Sequence, residues 1–361
     1  LETEHGSTNP RASDFDQLLA DTPGAAPAKK KRSAWKIVLI VVLVIVAIAA
    51  AAAAALGIFA RNTINDMHKI GDPFADITDR PSNEPSSSAT EDGTGDPVNF
   101  LIMGSDSRIS AGDPNDWTYG AQRTDALMLM QVSGDRQHIS IMSIPRDSWV
   151  AIPGNGTAKI NAAFSYGGPS LTIQTVEQLT GVRIDHIALV DFTTFKKLTD
   201  IVGGVTLETA DGTQHFDGDE ALAYVRERYS LPRGDFDRVR RQQLWMKAVL
   251  SELLTKETLS SPTKIMAIAN TLSDYVAVDD GLDTGTIVSL GSSLVGFDKS
   301  NLVLFTAPVA GTGTSEDGQS IVNLNMNELA RVSKAFQQDD VPAFVRASSD
   351  ALDTLDGRPV D

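Results

Sequence analysis

Short apolar runs bounded by glycine, proline and aspartate recur from Val98 onward, and segments of helical period separate the later ones. Val98-Asn99-Phe100-Leu101-Ile102-Met103 is apolar and stops at Gly104, which marks a strand. Ala126 to Val132 is a second run, closed by Ser133-Gly134-Asp135. Ile139-Ser140-Ile141-Met142-Ser143-Ile144 follows, alternating until Pro145, and the short connection predicts a hairpin between these two strands. Leu171 to Thr180 predicts a helix with Gly181 at its end. His186 to Val190 predicts a strand, and Phe192 to Ile201 a helix stopped by Gly203-Gly204. Asp217-Gly218-Asp219-Glu220 has the form of a capping box and predicts a helix through Val225. Asp235 or Asp237 can cap the next helix, which runs to about Leu254 with Phe236, Val239, Met246, Val249, Leu250 and Leu253 near period 3.6. Leu302 to Thr306 is a late strand. Interleaved strands and helices with a hairpin among them favour a mixed α/β sandwich over a doubly wound parallel sheet.

Ahead of these elements, Ile37 to Phe59 carries no charged or strongly polar residue. As a helix it would reach roughly 34 Å, enough to span a hydrocarbon core of about 30 Å. Lys29, Lys30, Lys31, Arg32 and Lys36 precede it, while only Arg61 and Lys69 follow closely. The positive-inside rule then places the N-terminus in the cytoplasm and everything after the span outside the cell membrane. A cleaved signal peptide is the alternative, but the apolar run is longer than the roughly 7–15 residues of a signal core. The expected organisation is a disordered cytoplasmic tail over 1–32, a transmembrane helix over 33–60, a flexible extracellular linker over 61–96 and one globular domain over 97–361.

Composition narrows the chemistry. The 361 residues carry a formal net charge of −16, contain no cysteine and include five scattered histidines. Disulfides and thiolate metal sites are excluded, no pair of histidines has ligand spacing, and no nucleic-acid partner is expected of so acidic a chain. Within this acidic background six arginines fall between Tyr224 and Gln243. Guanidinium is planar, always charged and pairs with phosphate oxygens bidentately, so the cluster points to a bound anion.

Further Asp and Arg residues lie at the ends of predicted strands. Gly104-Ser105-Asp106-Ser107-Arg108 follows the first, Arg123-Thr124-Asp125 opens the second and Pro145-Arg146-Asp147 closes the third. Carboxylates with phosphate oxygens are the usual ligands of Mg²⁺, and nearby arginines would neutralise the remaining phosphate charge. The competing reading takes each pair as a surface ion pair at a turn. On the helix after Asp235, Arg238, Arg241 and Gln242 share one face and are expected to meet the anion. Arg240 lies about 200° from Arg238 and is expected as a solvated surface charge. Arg226 and Arg228 share a face only if the preceding helix has ended, and both are then expected to reach the site. Arginines snorkelling over a helix face remain the alternative. No Gly-x-x-x-x-Gly-Lys phosphate loop, Gly-x-Ser-x-Gly elbow or Gly-x-Gly-x-x-Gly motif is present.

The ordered set resembles the LytR–CpsA–Psr family of bacterial cell-envelope proteins. It comprises Gly104-Ser105-Asp106-Ser107-Arg108, Arg123-Thr124-Asp125, Ser143-Ile144-Pro145-Arg146-Asp147, Lys159-Ile160-Asn161, Asp191-Phe192, Gly203-Gly204-Val205, Tyr224-Val225-Arg226-x-Arg228 and Gly234-Asp235-x-x-Arg238-x-x-Arg241-Gln242-Gln243. The likeness is strong from Val98 to Leu254 and weaker beyond. It implies a three-layer α-β-α sandwich around a mixed, largely antiparallel sheet, preceded by one transmembrane helix. It implies a phosphotransferase that moves a glycopolymer from a polyprenyl-pyrophosphate carrier to peptidoglycan through a phosphodiester, assisted by Mg²⁺ or Mn²⁺. Asp106 and Asp125 would be the metal ligands. Arg123, Arg146, Arg226, Arg228 and Arg238 would hold the pyrophosphate, with Asp235 and Gln242 near it. The residues between Arg108 and Arg123 depart from the pattern and are expected as a loop over the site.

On this reading the catalytic set is Arg123, Arg146, Asp147, Asp235 and Arg238. The protein supplies positioning and charge stabilisation, and Asp235 or Asp147 takes the proton of the attacking hydroxyl. The partners are the lipid-linked glycan donor, the peptidoglycan acceptor and the membrane. Alanine-rich, acidic character resembles actinobacterial proteins and points to arabinogalactan or a related glycan. Two rivals stand beside it: a hydrolase of the lipid pyrophosphate, and a non-catalytic anchor of anionic wall polymers. A membrane-bound transcription regulator fits poorly with a domain outside the cell.

Overall fold

The computed structural model describes residues 68–82, 95–105, 124–227, 230–255, 276–282, 296–357 and 360, with isolated positions between 257 and 294. The expected tail and transmembrane span, the loop over 109–122, and Asp106, Arg123 and Arg228 lie outside the described residues. No described helix is long and apolar enough to cross a membrane.

The strands are β1 (His68–Lys69), β2 (Val98–Ser105), β3 (Thr124–Val132), β4 (Ile139–Ser143), β5 (Trp149–Ile152), β6 (Gly156–Lys159), β7 (His186–Val190), β8 (Val205–Thr209), β9 (Gly212–Phe216), β10 (Ala277–Val278), β11 (Leu302–Thr306), β12 (Val309–Thr314) and β13 (Ser320–Leu324). The helices are α1 (Ala162–Thr180), α2 (Phe192–Ile201), α3 (Gly218–Arg226), α4 (Asp235–Leu253), α5 (Met326–Gln337) and α6 (Val341–Ala347). The main sheet has seven strands in the order β1-β10-β7-β2-β3-β4-β11. Its pairings are evenly mixed rather than largely antiparallel: β2 with β7 and β4 with β11 are parallel, β2 with β3 and β3 with β4 antiparallel. The physical reason is the crossover through α1, which returns the chain to β7 alongside β2; parallel neighbours need such a connection, whereas the β3–β4 hairpin needs only a turn.

Side-chain alternation sends the strands' apolar residues to opposite faces. Leu101, Met103, Leu129, Met142, Leu189 and Phe305 form one core with Ile173 and Val176 of α1, Leu329 and Val332 of α5 and Val345 of α6. Phe100, Met128, Ile139, Ile141 and Leu304 form the other, against Leu244, Met246 and Leu250 of α4. Helices on both faces give the expected three layers. A third cluster joins Phe195 of α2, Val225 of α3 and Trp245 of α4, with the Phe195 and Trp245 rings stacked at 3.9 Å.

Local signals held at several helix ends. Asp217 and Glu220 make the reciprocal capping box of α3. Asp191 caps α2 by accepting from the Thr194 N–H at 2.8 Å. Gly181 ends α1 in the left-handed region, φ 63°. That helix begins earlier than the periodicity predicts, because a first turn from Ala162 joins the main helix across a kink at Gly167 and Gly168. The amphipathic helix α5, with Leu329, Val332 and Phe336 on one side, was legible as a 3.6-residue pattern but was not among the expected elements.

Residues 68–82, expected within the linker, are packed on the domain. β1 pairs with β10, Ile77 enters the core, and Arg80 binds Glu177 of α1. At the same end of the sheet Asp185 accepts the Asn99 N–H at 2.8 Å, yet burial raises its carboxyl above the ordinary value. An acid with a raised folded-state pKa contributes stability that is full below the unfolded value of about 3.9 and is lost as pH rises through the folded value. Asp185→Asn should therefore raise the melting temperature at pH 7 and lose that advantage below about pH 3.9, measured by thermal unfolding across pH.

Candidate active site

The pairings bring five strand ends to one edge. Gly104 of β2 is level with Val190 of β7, Ser105 with Thr124 at the start of β3, and Ser143 of β4 with Thr306 of β11. Asp125 lies at the start of β3, and Arg146, Asp147, Asp191 and Ala307 follow the other ends, so motifs far apart in the chain meet here.

Arg146 is the hub. Its Nη1 donates to Asp125 Oδ1, its Nη2 lies 3.5 Å from Asp235 Oδ1 and its Nε 3.9 Å from Asp147 Oδ2. Lys159, at the end of β6, places Nζ 3.0 Å from Asp147 Oδ1. Arg238 places Nη2 2.5 Å from Asp235 Oδ1 and is 7% exposed at its side chain, against 28% for Asp235. The β5–β6 hairpin is tied to this edge by the Ile160 N–H donating to Ser148 O and the Asn161 N–H to Arg146 O. The described charges balance, three cations (Arg146, Lys159, Arg238) against three carboxylates (Asp125, Asp147, Asp235). An anion entering here can take guanidinium donors from carboxylates that are already half-solvated. Thr124 Oγ1 and Ser143 Oγ are buried on the same edge without a hydrogen-bond partner among the described residues.

Asp125, Arg146, Asp147, Asp235 and Arg238 are thus gathered in one place. Arg226, the last residue of α3, is exposed and lies 4.4 Å over the ring of Phe192, which follows β7 on the same edge. It is still helical, so the expected helix end before it is displaced by one residue. Gln242 is half-buried on α4.

Arg241 braces α3: its Nη1 donates to Tyr224 O at 3.0 Å and its guanidinium covers the Tyr224 ring at 4.0 Å. Two expectations are corrected. Arg240 is not solvated but 1% exposed, donating to Asp353 Oδ1 at 2.7 Å and to the carbonyls of Thr354 and Leu355. Its helical angle does point away from Arg238, but that direction is inward. Neither Asp235 nor Asp237 caps α4. Gly234 occupies the cap at φ 55° without a side-chain bond, because Asp237 turns back to Arg233 and Asp235 is taken by the two arginines. Lys159, Arg233 and Asp353 had not been expected as functional; for Lys159 the signal was its place in the Lys159-Ile160-Asn161 motif.

Among the described residues no group of three acidic or histidine side chains could hold a metal ion. Asp125 suits Mg²⁺ as a single carboxylate at 31% exposure, since that ion typically takes one or two protein carboxylates, substrate phosphates and water.

Residues 67–338 match the LytR_cpsA_psr family. The cell wall biosynthesis protein LcpA of Corynebacterium glutamicum is 30% identical over 71% of this chain and 58% of its own length. The chain thus spans little more than half of that relative. The polyisoprenyl-teichoic acid–peptidoglycan teichoic acid transferase TagU of Halalkalibacterium halodurans is 34% identical over 66% of this chain and 77% of its own. Among solved structures, TagT bound to LIIa-WTA superposes with a TM-score of 0.55 at 25% identity, over 71% of this chain and 96% of that one.

Proposed function

The chain belongs to the LytR–CpsA–Psr family, and from that membership together with the Arg146 cluster we propose that it transfers a glycopolymer from a polyprenyl-pyrophosphate carrier to peptidoglycan. The observation that carries the reading is Arg146 set between Asp125 and Asp235, with Arg238 buried behind. Two guanidiniums held by carboxylates are preorganised donors for a diphosphate. Asp125 would hold Mg²⁺ or Mn²⁺, which would supply positive charge to the phosphates, and Arg146 would donate to a phosphate oxygen. Arg226, over the ring of Phe192, adds a further guanidinium to the anion-binding side.

An acceptor hydroxyl attacks the sugar-linked phosphorus. A new oxygen–phosphorus bond forms, the bond to the lipid phosphate breaks, and Asp147 or Asp235 receives the hydroxyl proton. The span over Ile37–Phe59 would hold the domain at the outer membrane surface, where the lipid carrier lies, and raise its effective concentration. The similarity to LcpA of Corynebacterium glutamicum supports an actinobacterial setting, and the polymer we propose is of arabinogalactan type.

The full chain in detergent, given lipid-pyrophosphate-linked glycan, a peptidoglycan oligomer and Mg²⁺, should yield glycan joined to the oligomer and lipid monophosphate. EDTA should stop product formation, and Mg²⁺ or Mn²⁺ should restore it. Phosphate release independent of the oligomer would make the protein a hydrolase. Tight donor binding with no product would make it an anchor.

A further inference from the structure

We propose that Asp353 is a positioning residue for the pyrophosphate site, acting through the first turn of α4; this rests on the function proposed above. Asp353 lies far along the chain from every motif of the site. Its Oδ1 accepts from Arg240 Nη1 at 2.7 Å and its Oδ2 lies 3.4 Å from Arg233 Nη1. Its backbone oxygen accepts the N–H of Thr306, at the end of β11 on the site edge. One residue therefore ties together the sheet edge, the buried middle of α4 and the turn that precedes that helix.

The turn is the part that matters for chemistry. Arg233 places Nη2 2.6 Å from Asp237 Oδ1, and its own N–H donates to Asp237 Oδ2 at 2.8 Å. Asp237 is 2% exposed, and Arg233 is the cation paired with it. The closed loop from Arg233 to Asp237 encloses Gly234, whose positive φ sets the direction in which α4 starts. Asp235 and Arg238 leave from that same turn and meet Arg146. Asp353 thus orders Arg233, Arg233 orders Asp237, and the turn between them aims the Asp235–Arg238 pair. Small misplacements of a preorganised group are costly, because the donors must match the anion to within a fraction of an ångström.

Two variants test this in the full chain, with inorganic pyrophosphate as the calorimetric ligand and thermal unfolding to confirm the fold. Asp353→Asn should weaken pyrophosphate about tenfold. Arg233→Gln leaves the buried Arg240–Asp353 pair in place but removes the cation beside Asp237, so it should fold with a lowered melting temperature and, below that temperature, still weaken binding severalfold. Asp353→Glu should recover part of the loss, and Asp356→Asn, at an exposed ion pair with Lys247, should bind as the wild type does. Folded Arg233→Gln and Asp353→Asn proteins with wild-type affinity would overturn the inference while leaving the proposed function intact. Failure of the wild-type protein itself to bind pyrophosphate would instead remove the functional reading, and this inference with it.

Discussion

Arg146→Ala should lower turnover on the lipid-pyrophosphate donor by about 10²–10³-fold, the loss seen when one preorganised donor to developing charge is removed from an active site. The guanidinium reaches Asp125 and Asp235 with different Nη atoms, so it links a strand end to a helix start. Its loss removes a phosphate donor and also leaves Asp125, Asp147 and Asp235 as a cluster of like charge, compensated among the described residues by Lys159 and Arg238. Both effects repel the substrate. Arg146→Lys should recover little, because an ammonium is a single compact charge and cannot span two carboxylates in a planar fork. Single-turnover kinetics with labelled donor separates binding from chemistry. Activity of the alanine variant within threefold of wild type would exclude Arg146 from the reaction.

Arg80→Ala is the substitution with the largest expected effect on stability outside the site. Glu177 is 1% exposed on α1, and Arg80 meets it with Nε at 3.2 Å and Nη2 at 2.7 Å while also donating to Ile184 O. Glu177 Oε1 additionally accepts the Ile184 N–H at 2.9 Å. Truncating the arginine strands a buried carboxylate with one backbone donor, and breaking such a pair from one side costs about 3–5 kcal/mol. For a domain of this size that corresponds to a fall in melting temperature on the order of 10 °C. The double variant Arg80→Met with Glu177→Gln should recover most of the loss, since both charges are then gone together. Calorimetry of the two proteins checks this; equal melting temperatures for Arg80→Ala and wild type would show that the pair is dispensable. Donor turnover at low temperature should be unchanged, because the pair lies at the opposite end of the sheet, where Asn99 and Asp185 also sit.

Much of the site could be read before any fold was known. Asp125, Arg146 and Asp235 stood at the ends of predicted elements, and the three-residue spacing of Asp235 and Arg238 on α4 does produce an ion pair. The capping box of Asp217 and Glu220 was equally legible, because a cap is a contact between residues two or three apart. Arg240 shows where this reasoning stops. Its angle around the helix was right and its environment wrong, because periodicity tells which way a side chain leaves the helix and not what lies there. The parallel share of the sheet escaped for a related reason, since partner choice between strands is set by crossovers rather than by the strands' own residues.

On its own the amino-acid sequence determined the order of the central strands and helices, the clustering of guanidinium groups in an acidic chain and the family to which the chain belongs. Those properties depend on neighbours along the chain or on patterns that survive without a fold. Only the tertiary structure decided that Arg146 faces three carboxylates, that Arg241 braces α3, and that Asp353 closes on Arg233 and Arg240 across more than a hundred positions. A long-range ion pair has no local signature, because either partner alone is an ordinary surface charge until packing removes water from both.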